Sequence, residues 1–103
     1  MKTMYHATKL ENLDSILEKG LLRNKIENAI FLCEKPEHAA RFLIVQGLSQ
    51  FVIIPVKVHE RFLEESFDHS EAFFKCKAWT YSKDIAPRYI EADDILKYDA
   101  TTK

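Results

Sequence analysis

The pattern of apolar residues predicts a small α+β fold, and three observations carry that reading. Residues 10–20 and 36–47 hold apolar side chains at helical spacing, and each stretch closes on one of the chain's two glycines. Strand-type runs stand before, between and after these two helices. The strands then crowd into the second half of the chain, which argues for α+β rather than a doubly wound parallel sheet. The expected order is β-α-β-α-β followed by two or three further strands.

Lys2 to His6 reads as a short strand. Thr8, with Glu11 three residues later, has the pattern of a capping box, in which hydroxyl and carboxylate each take a free backbone N–H. Leu10, Leu13, Ile16 and Leu17 then fall on one helical face. Gly20 suits the left-handed residue that ends a helix, and Leu21 is placed to fold back on Ile16. His6 is therefore expected where a strand ends and a helix begins. There the helix N-terminus favours negative charge and offers free N–H groups.

Leu21 to Asn28 reads as a polar connection, and Ala29 to Cys33, nearly continuous in apolar residues, as a buried strand. Pro36 suits the first position of the second helix, with Glu37 in its first turn. Ala39, Ala40, Phe42, Leu43 and Gln46 continue that helix to Gly47. Phe51 to Val58 is the strongest strand signal. Pro55 cannot donate to a ladder, so a bulge or an open side is expected there.

Residues 59–72 hold five acids (Glu60, Glu64, Glu65, Asp68 and Glu71) against Arg61. This segment reads as a loop with one turn of helix or a short strand, either a solvated excursion or a mobile frame for a pocket. In the strand Phe73 to Tyr81, Lys75, Lys77 and Trp79 alternate with Phe74, Cys76 and Ala78. Ile85 to Tyr98 forms a last extended stretch with a bend at Asp93-Asp94. The first strand is expected beside the strand around Phe73 to Trp79, with Phe51 to Val58 in a sheet packed against it.

A length of 103 residues suits a single domain spanning 1–103, and 47% hydrophobic content is enough for its core. The net charge of −1 gives no electrostatic footprint for duplex nucleic acid, though a nucleotide or short single strand stays open. No apolar run approaches the roughly 20 residues of a membrane span. With no signal-peptide pattern, the expected setting is cytoplasmic, with Cys33 and Cys76 reduced and buried. Two glycines cannot build a Gly-rich phosphate cradle. Cys33, His38, His59, His69 and Cys76 lack zinc-finger spacing. Both cysteines lie in apolar strand contexts, where burial raises a thiol's pKa and makes it inert.

Tyr5-His6-Ala7-Thr8, followed by Leu13, Ile16-Leu17 and Gly20-Leu21, resembles the opening of the ADP-ribosyltransferase superfamily, in particular its DNA-modifying toxins and the RNA 2′-phosphotransferases. Ala29 to Ala39 resembles the family's second block, a strand followed by a helix with an early Ala. Asp84 to Ile90 resembles its closing I-x-P-x-x-I. The three pieces occur in the family's order and cover most of the chain apart from residues 59–72. The resemblance implies a small split β-sandwich with two helices that binds nicotinamide adenine dinucleotide (NAD) between two small sheets. It implies that His6 meets a ribose hydroxyl and that Thr8 helps to place the ligand. Thr8 has the helix cap as an equal alternative. Phe31 would be the aromatic that stacks on the ligand.

Transferring members of the family carry a Glu on a late strand, which stabilises the oxocarbenium-like centre formed as the glycosidic bond opens. Here Lys75 to Tyr81 contains no acid, and Asp68 and Glu71 lie just before it. The resemblance thus implies a catalytic set of His6, Asp68 and Glu71, with ADP-ribose passed to a macromolecular acceptor. Arg23, Arg41, Arg61 and Arg88 do not map onto the arginine pattern of the phosphotransferase branch. The missing late-strand acid supports a second reading: a non-catalytic nucleotide-binding, sequestering or protein-interaction module of the same fold. A small α+β interaction domain is the third.

Overall fold

The computed structural model describes residues 1–23, 29–45, 47–66 and 78–99. In chain order the elements are β1 (Lys2–Lys9), α1 (Leu13–Lys19), β2 (Ile30–Leu32), α2 (Pro36–Val45), β3 (Gln50–Val58), β4 (Leu63–Ser66), β5 (Ala78–Tyr81) and β6 (Leu96–Asp99). Single 3₁₀ turns lie at Leu10–Asn12, Glu60–Phe62, Pro87–Tyr89 and Ala92–Asp94. Among the described residues, two helices and six strands make this an α+β fold. The strands form two antiparallel three-stranded sheets, ordered β1-β3-β6 and β2-β5-β4. No helix among the described residues is long and apolar enough to cross a membrane.

The first strand's neighbour differs from expectation. β1 pairs along its whole length with β3, from Lys2 opposite Val58 to Lys9 opposite Phe51, while β5 pairs with β2 and β4. The reason is burial on two sides. Phe51, Val52, Ile53, Ile54, Val56 and Val58 are all buried, so β3 needs cover on both faces and a partner on each edge. Its even positions, Val52, Ile54, Val56 and Val58, join Met4 of β1 in a core shared with Ile30, Leu32 and Tyr81 of the second sheet. Its odd positions, Phe51 and Ile53, pack with Ala39, Ala40 and Leu43 of α2, and Tyr5 and Ala7 lie against the same cluster.

Pro55 keeps the β1–β3 register without a bulge. Tyr5, its opposite, turns its own N–H and C=O toward Cys33. Tyr5 and Pro55 therefore form a non-hydrogen-bonded pair, and the missing N–H faces away from β1. On that other side the β6 ladder covers only Gln50 to Ile53, and the Pro55 carbonyl accepts from Glu91 N–H at 2.9 Å. This is the open side that the proline demands.

α1 is shorter than its sequence pattern. A 3₁₀ turn occupies Leu10–Asn12, and the helix begins at Leu13. The tighter turn takes Leu10 off the helical stripe, leaving Leu13 buried and Ile16 packed on the core while Leu10 and Leu17 are exposed. The Thr8–Glu11 capping box does not form. The residue before the turn is Lys9, with no side-chain cap, and the Thr8 hydroxyl instead accepts from the Asn12 side-chain amide at 3.0 Å. Gly20 takes the expected positive φ, +89°, but its ψ of −177° extends the chain. Leu21 then exchanges two backbone hydrogen bonds with Ile85, each 2.8 Å. A Cβ on Gly20 would collide with the Ile85 carbonyl oxygen.

The C-terminal stretch is less extended than its sequence suggests. Ile85 and Ile90 are buried through single bridges to Leu21 and Val56, with a 3₁₀ turn opening on Pro87 between them. Asp84 anchors this segment by accepting from the Arg23 backbone N–H at 2.8 Å and from Arg23 Nε at 3.0 Å, which holds its carboxyl group below its ordinary pKa. The acid-rich segment supplies both a turn, Glu60–Phe62, and a strand, β4.

Candidate functional site

The two sheets meet at one point on β1. Tyr5 N–H donates to the Cys33 carbonyl at 2.8 Å and Cys33 N–H returns to the Tyr5 carbonyl at 2.9 Å. An antiparallel ladder continued from there would set Ala7 opposite Phe31, but among the described residues the bridge is isolated. The Phe31 carbonyl is taken instead by the His6 side chain, with Nδ1 at 2.9 Å. His6 thus stands in the seam where β1 and β2 part, its imidazole replacing a ladder bond.

His6 lies inside β1, three residues before its end, and not at a strand-to-helix junction. The strand continues because Ala7, Thr8 and Lys9 find partners in Ile53, Val52 and Phe51. No helix N-terminus therefore acts on the imidazole. A carbonyl can only accept, so Nδ1 carries the proton, and in the neutral ring Nε2 is left as an acceptor. Burial holds the His6 pKa below its ordinary value, outweighing the opposing pull of the bond to Phe31. The ring is thereby kept neutral, suited to accept from a ligand hydroxyl.

Met4, His6 and Thr8 share the face of β1 that looks toward the second sheet. Thr8 is half-buried there, with its hydroxyl turned to Asn12. Phe31 meets His6 through its backbone carbonyl. Ile30 and Leu32 point into the shared core, so the Phe31 ring leaves from the opposite face of β2. The aromatic on the inner face is Trp79, opposite Leu32 and packed against the shared core, with buried Tyr81 two residues on. This reverses the phase expected for that strand, in which Trp79 kept company with the lysines. Asp68 and Glu71 lie outside the described residues, as does the greater part of the strand expected from Phe73.

Two inward residues escaped the sequence reading. Trp79 Nε1 is buried without a hydrogen-bond partner, which costs about 1–3 kcal/mol for an unsatisfied donor. Glu65 stands directly opposite Trp79 and is half-buried, whereas Glu64 beside it is exposed. In sequence, Glu64-Glu65 is an undifferentiated acidic pair, and only pairing with β5 separates one from the other. Two surface hollows, of about 480 and 380 Å³, open beside Gly47–Ser49, and neither is lined by His6, Thr8 or Phe31.

No family profile and no curated protein sequence matches this chain. The reading of the site therefore rests on its residues and their geometry.

Proposed function

We propose that this protein is a minimal ADP-ribosyltransferase-like domain that binds NAD or a related nucleotide between its two sheets, with His6 as the central contact. One observation carries the reading. His6, in the Tyr-His-x-Thr segment of β1, stands in the seam between two small sheets, neutral and oriented by the Phe31 carbonyl. A fixed imidazole with a free acceptor nitrogen suits a ribose hydroxyl. Thr8 shares its face and extends the contact. Phe31 contributes the carbonyl that orients His6.

Titration calorimetry with NAD, ADP-ribose and cyclic nucleotides tests the proposal directly. The wild-type protein binds one of them, and His6→Ala weakens that binding. Absence of binding across the panel removes the reading.

Transfer of ADP-ribose to a macromolecule needs a carboxylate at the oxocarbenium-like centre, a role we assign to Asp68 or Glu71. A second reading, a non-catalytic nucleotide-binding or sequestering module, is favoured by the absence of any acid in Ala78–Tyr81. Removing Asp68 and Glu71 together abolishes label transfer from tagged NAD under the first reading. Under the second, the wild type binds nucleotide and transfers no label.

A further inference from the structure

The outer edge of β6 is open. Among the described residues no strand pairs with it, and all four of its residues are exposed. The direction of its backbone groups follows from Pro55. Because Pro55 turns its backbone away from β1, Phe51 and Ile53 turn theirs toward β6, where they meet Tyr98 and Leu96. The alternate residues, Lys97 and Asp99, therefore turn their N–H and C=O groups to the outer edge.

The side chains of β6 divide the same way. Leu96 and Tyr98 lie opposite Ile53 and Phe51, on the face that carries α2. The helix does not cover them: Leu96, Tyr98 and Ile44 of α2 are large apolar residues left exposed. Ile44, Leu48, Phe51 and Tyr98 line the hollow of about 380 Å³ at this place. Tyr98 is fixed there by stacking on Phe51, with ring centroids 4.9 Å apart. An open strand edge and an apolar strip thus run side by side.

We infer that both are covered by a second copy of this chain, paired antiparallel through β6 about a two-fold axis at Tyr98. Charge complementarity selects this occupant and this register. A lone lysine on an edge repels a second strand, but Lys97 has Asp99 two residues on. Pairing centred on Tyr98 sets Lys97 of each copy opposite Asp99 of the other, and Tyr98 opposite Tyr98. Lys97 and Asp99 are also the residues whose backbone groups face outward, so ladder bonds and charge pairs fall at the same positions. Tyr98 then forms the close, non-hydrogen-bonded pair. The neighbouring register, centred on Lys97, sets lysine against lysine. Asp99 keeps its bond from Gln50 Nε2 at 3.3 Å, because a carboxylate has lone-pair sites for a second donor. The result is one six-stranded sheet with both α2 helices on the same face, flanking a shared strip of Leu96 and Tyr98. β1 lies at its two far edges, so the interface is independent of His6 and of the nucleotide-binding reading.

Sedimentation equilibrium from micromolar to millimolar protein tests the inference. The wild-type mass rises with concentration from 12.1 kDa toward twice that value. Lys97→Glu alone, or Asp99→Lys alone, sets like charges opposite each other at both pairs and weakens self-association roughly tenfold or more. An equimolar mixture of the two variants restores opposite charges at every pair and associates like the wild type. Both positions are exposed, so each variant alone keeps the wild-type melting temperature at micromolar concentration.

A wild type that stays at 12.1 kDa at millimolar concentration overturns the inference. So does self-association of either variant at wild-type strength, which would place the contact on another surface. If the variants are folded and monomeric but their mixture does not associate, the Tyr98-centred register is wrong.

Discussion

β1 presents two faces that do different work. Tyr5 and Ala7 lie against α2, in a cluster with Cys33, Ala39, Ala40, Leu43, Phe51 and Ile53. His6 and Thr8 look toward the second sheet, where the packing is apolar around Met4, Ile54 and Val56 but meets Trp79 and Glu65 on β5 and β4. The helix side is closed by an apolar cluster, and among the described residues His38 Nδ1 on α2 is a buried nitrogen without a hydrogen-bond partner. Among the described residues the inter-sheet side keeps one buried donor without a partner, Trp79 Nε1. An unpartnered polar atom in a core costs stability, whichever face carries it.

The largest expected effect lies on the helix face. Phe51 is 2% exposed, and Phe51→Ala lowers stability by about 3–5 kcal/mol in urea denaturation. Below the shifted melting point it leaves nucleotide affinity intact. Parallel loss of affinity would break the separation of the two faces.

A smaller effect is expected where α1 enters the shared core. Gly20→Ala forces a Cβ against the Ile85 carbonyl at positive φ and costs roughly 2 kcal/mol or more. Gly47, at φ +87° with open space around its Cβ position, is the control, and Gly47→Ala costs about 1 kcal/mol. Equal losses at both sites would mean that the Leu21–Ile85 bridge does not constrain the chain.

His6 gives the inter-sheet face a pH signature. Its native pKa lies below the ordinary 6.5, so the unfolded chain binds the proton more tightly. Its contribution to stability is whole above that ordinary value and is lost as pH falls through the lowered native one, at up to roughly 1.4 kcal/mol per pH unit. Denaturation midpoints measured between about pH 5 and 8 show this slope in the wild type, and His6→Gln flattens it. A slope that survives the substitution assigns the proton to another group.

Thr8→Ala carries the smallest expected effect on stability. Its hydroxyl meets only an exposed Asn12 amide and caps no backbone group, so the loss is about 0.5 kcal/mol or less. A loss near 1 kcal/mol, the value of a helix cap, would show that the capping box forms in solution. A fall in nucleotide affinity with unchanged stability would place Thr8 with His6 at the ligand.

Periodicity and punctuation were enough for much of the fold. The sequence alone was enough for the α+β class and element order, the helix that opens on Pro36, the apolar runs of β2 and β3, and the positive φ at Gly20. These are local properties: helical spacing, a proline at a first turn, a glycine where a Cβ does not fit. Tertiary structure decided which strands are neighbours, because an apolar run records that a strand is buried and not by whom. It carried β1 on to Lys9, since pairing with Phe51 to Ile53 supplies more backbone bonds than the Thr8–Glu11 cap could. It turned Trp79 inward and Phe31 outward, since alternation gives two phases and only the facing sheet selects one. It also separated Glu65 from Glu64, because a period of two across a paired strand sends one carboxyl group to solvent and the other to the core.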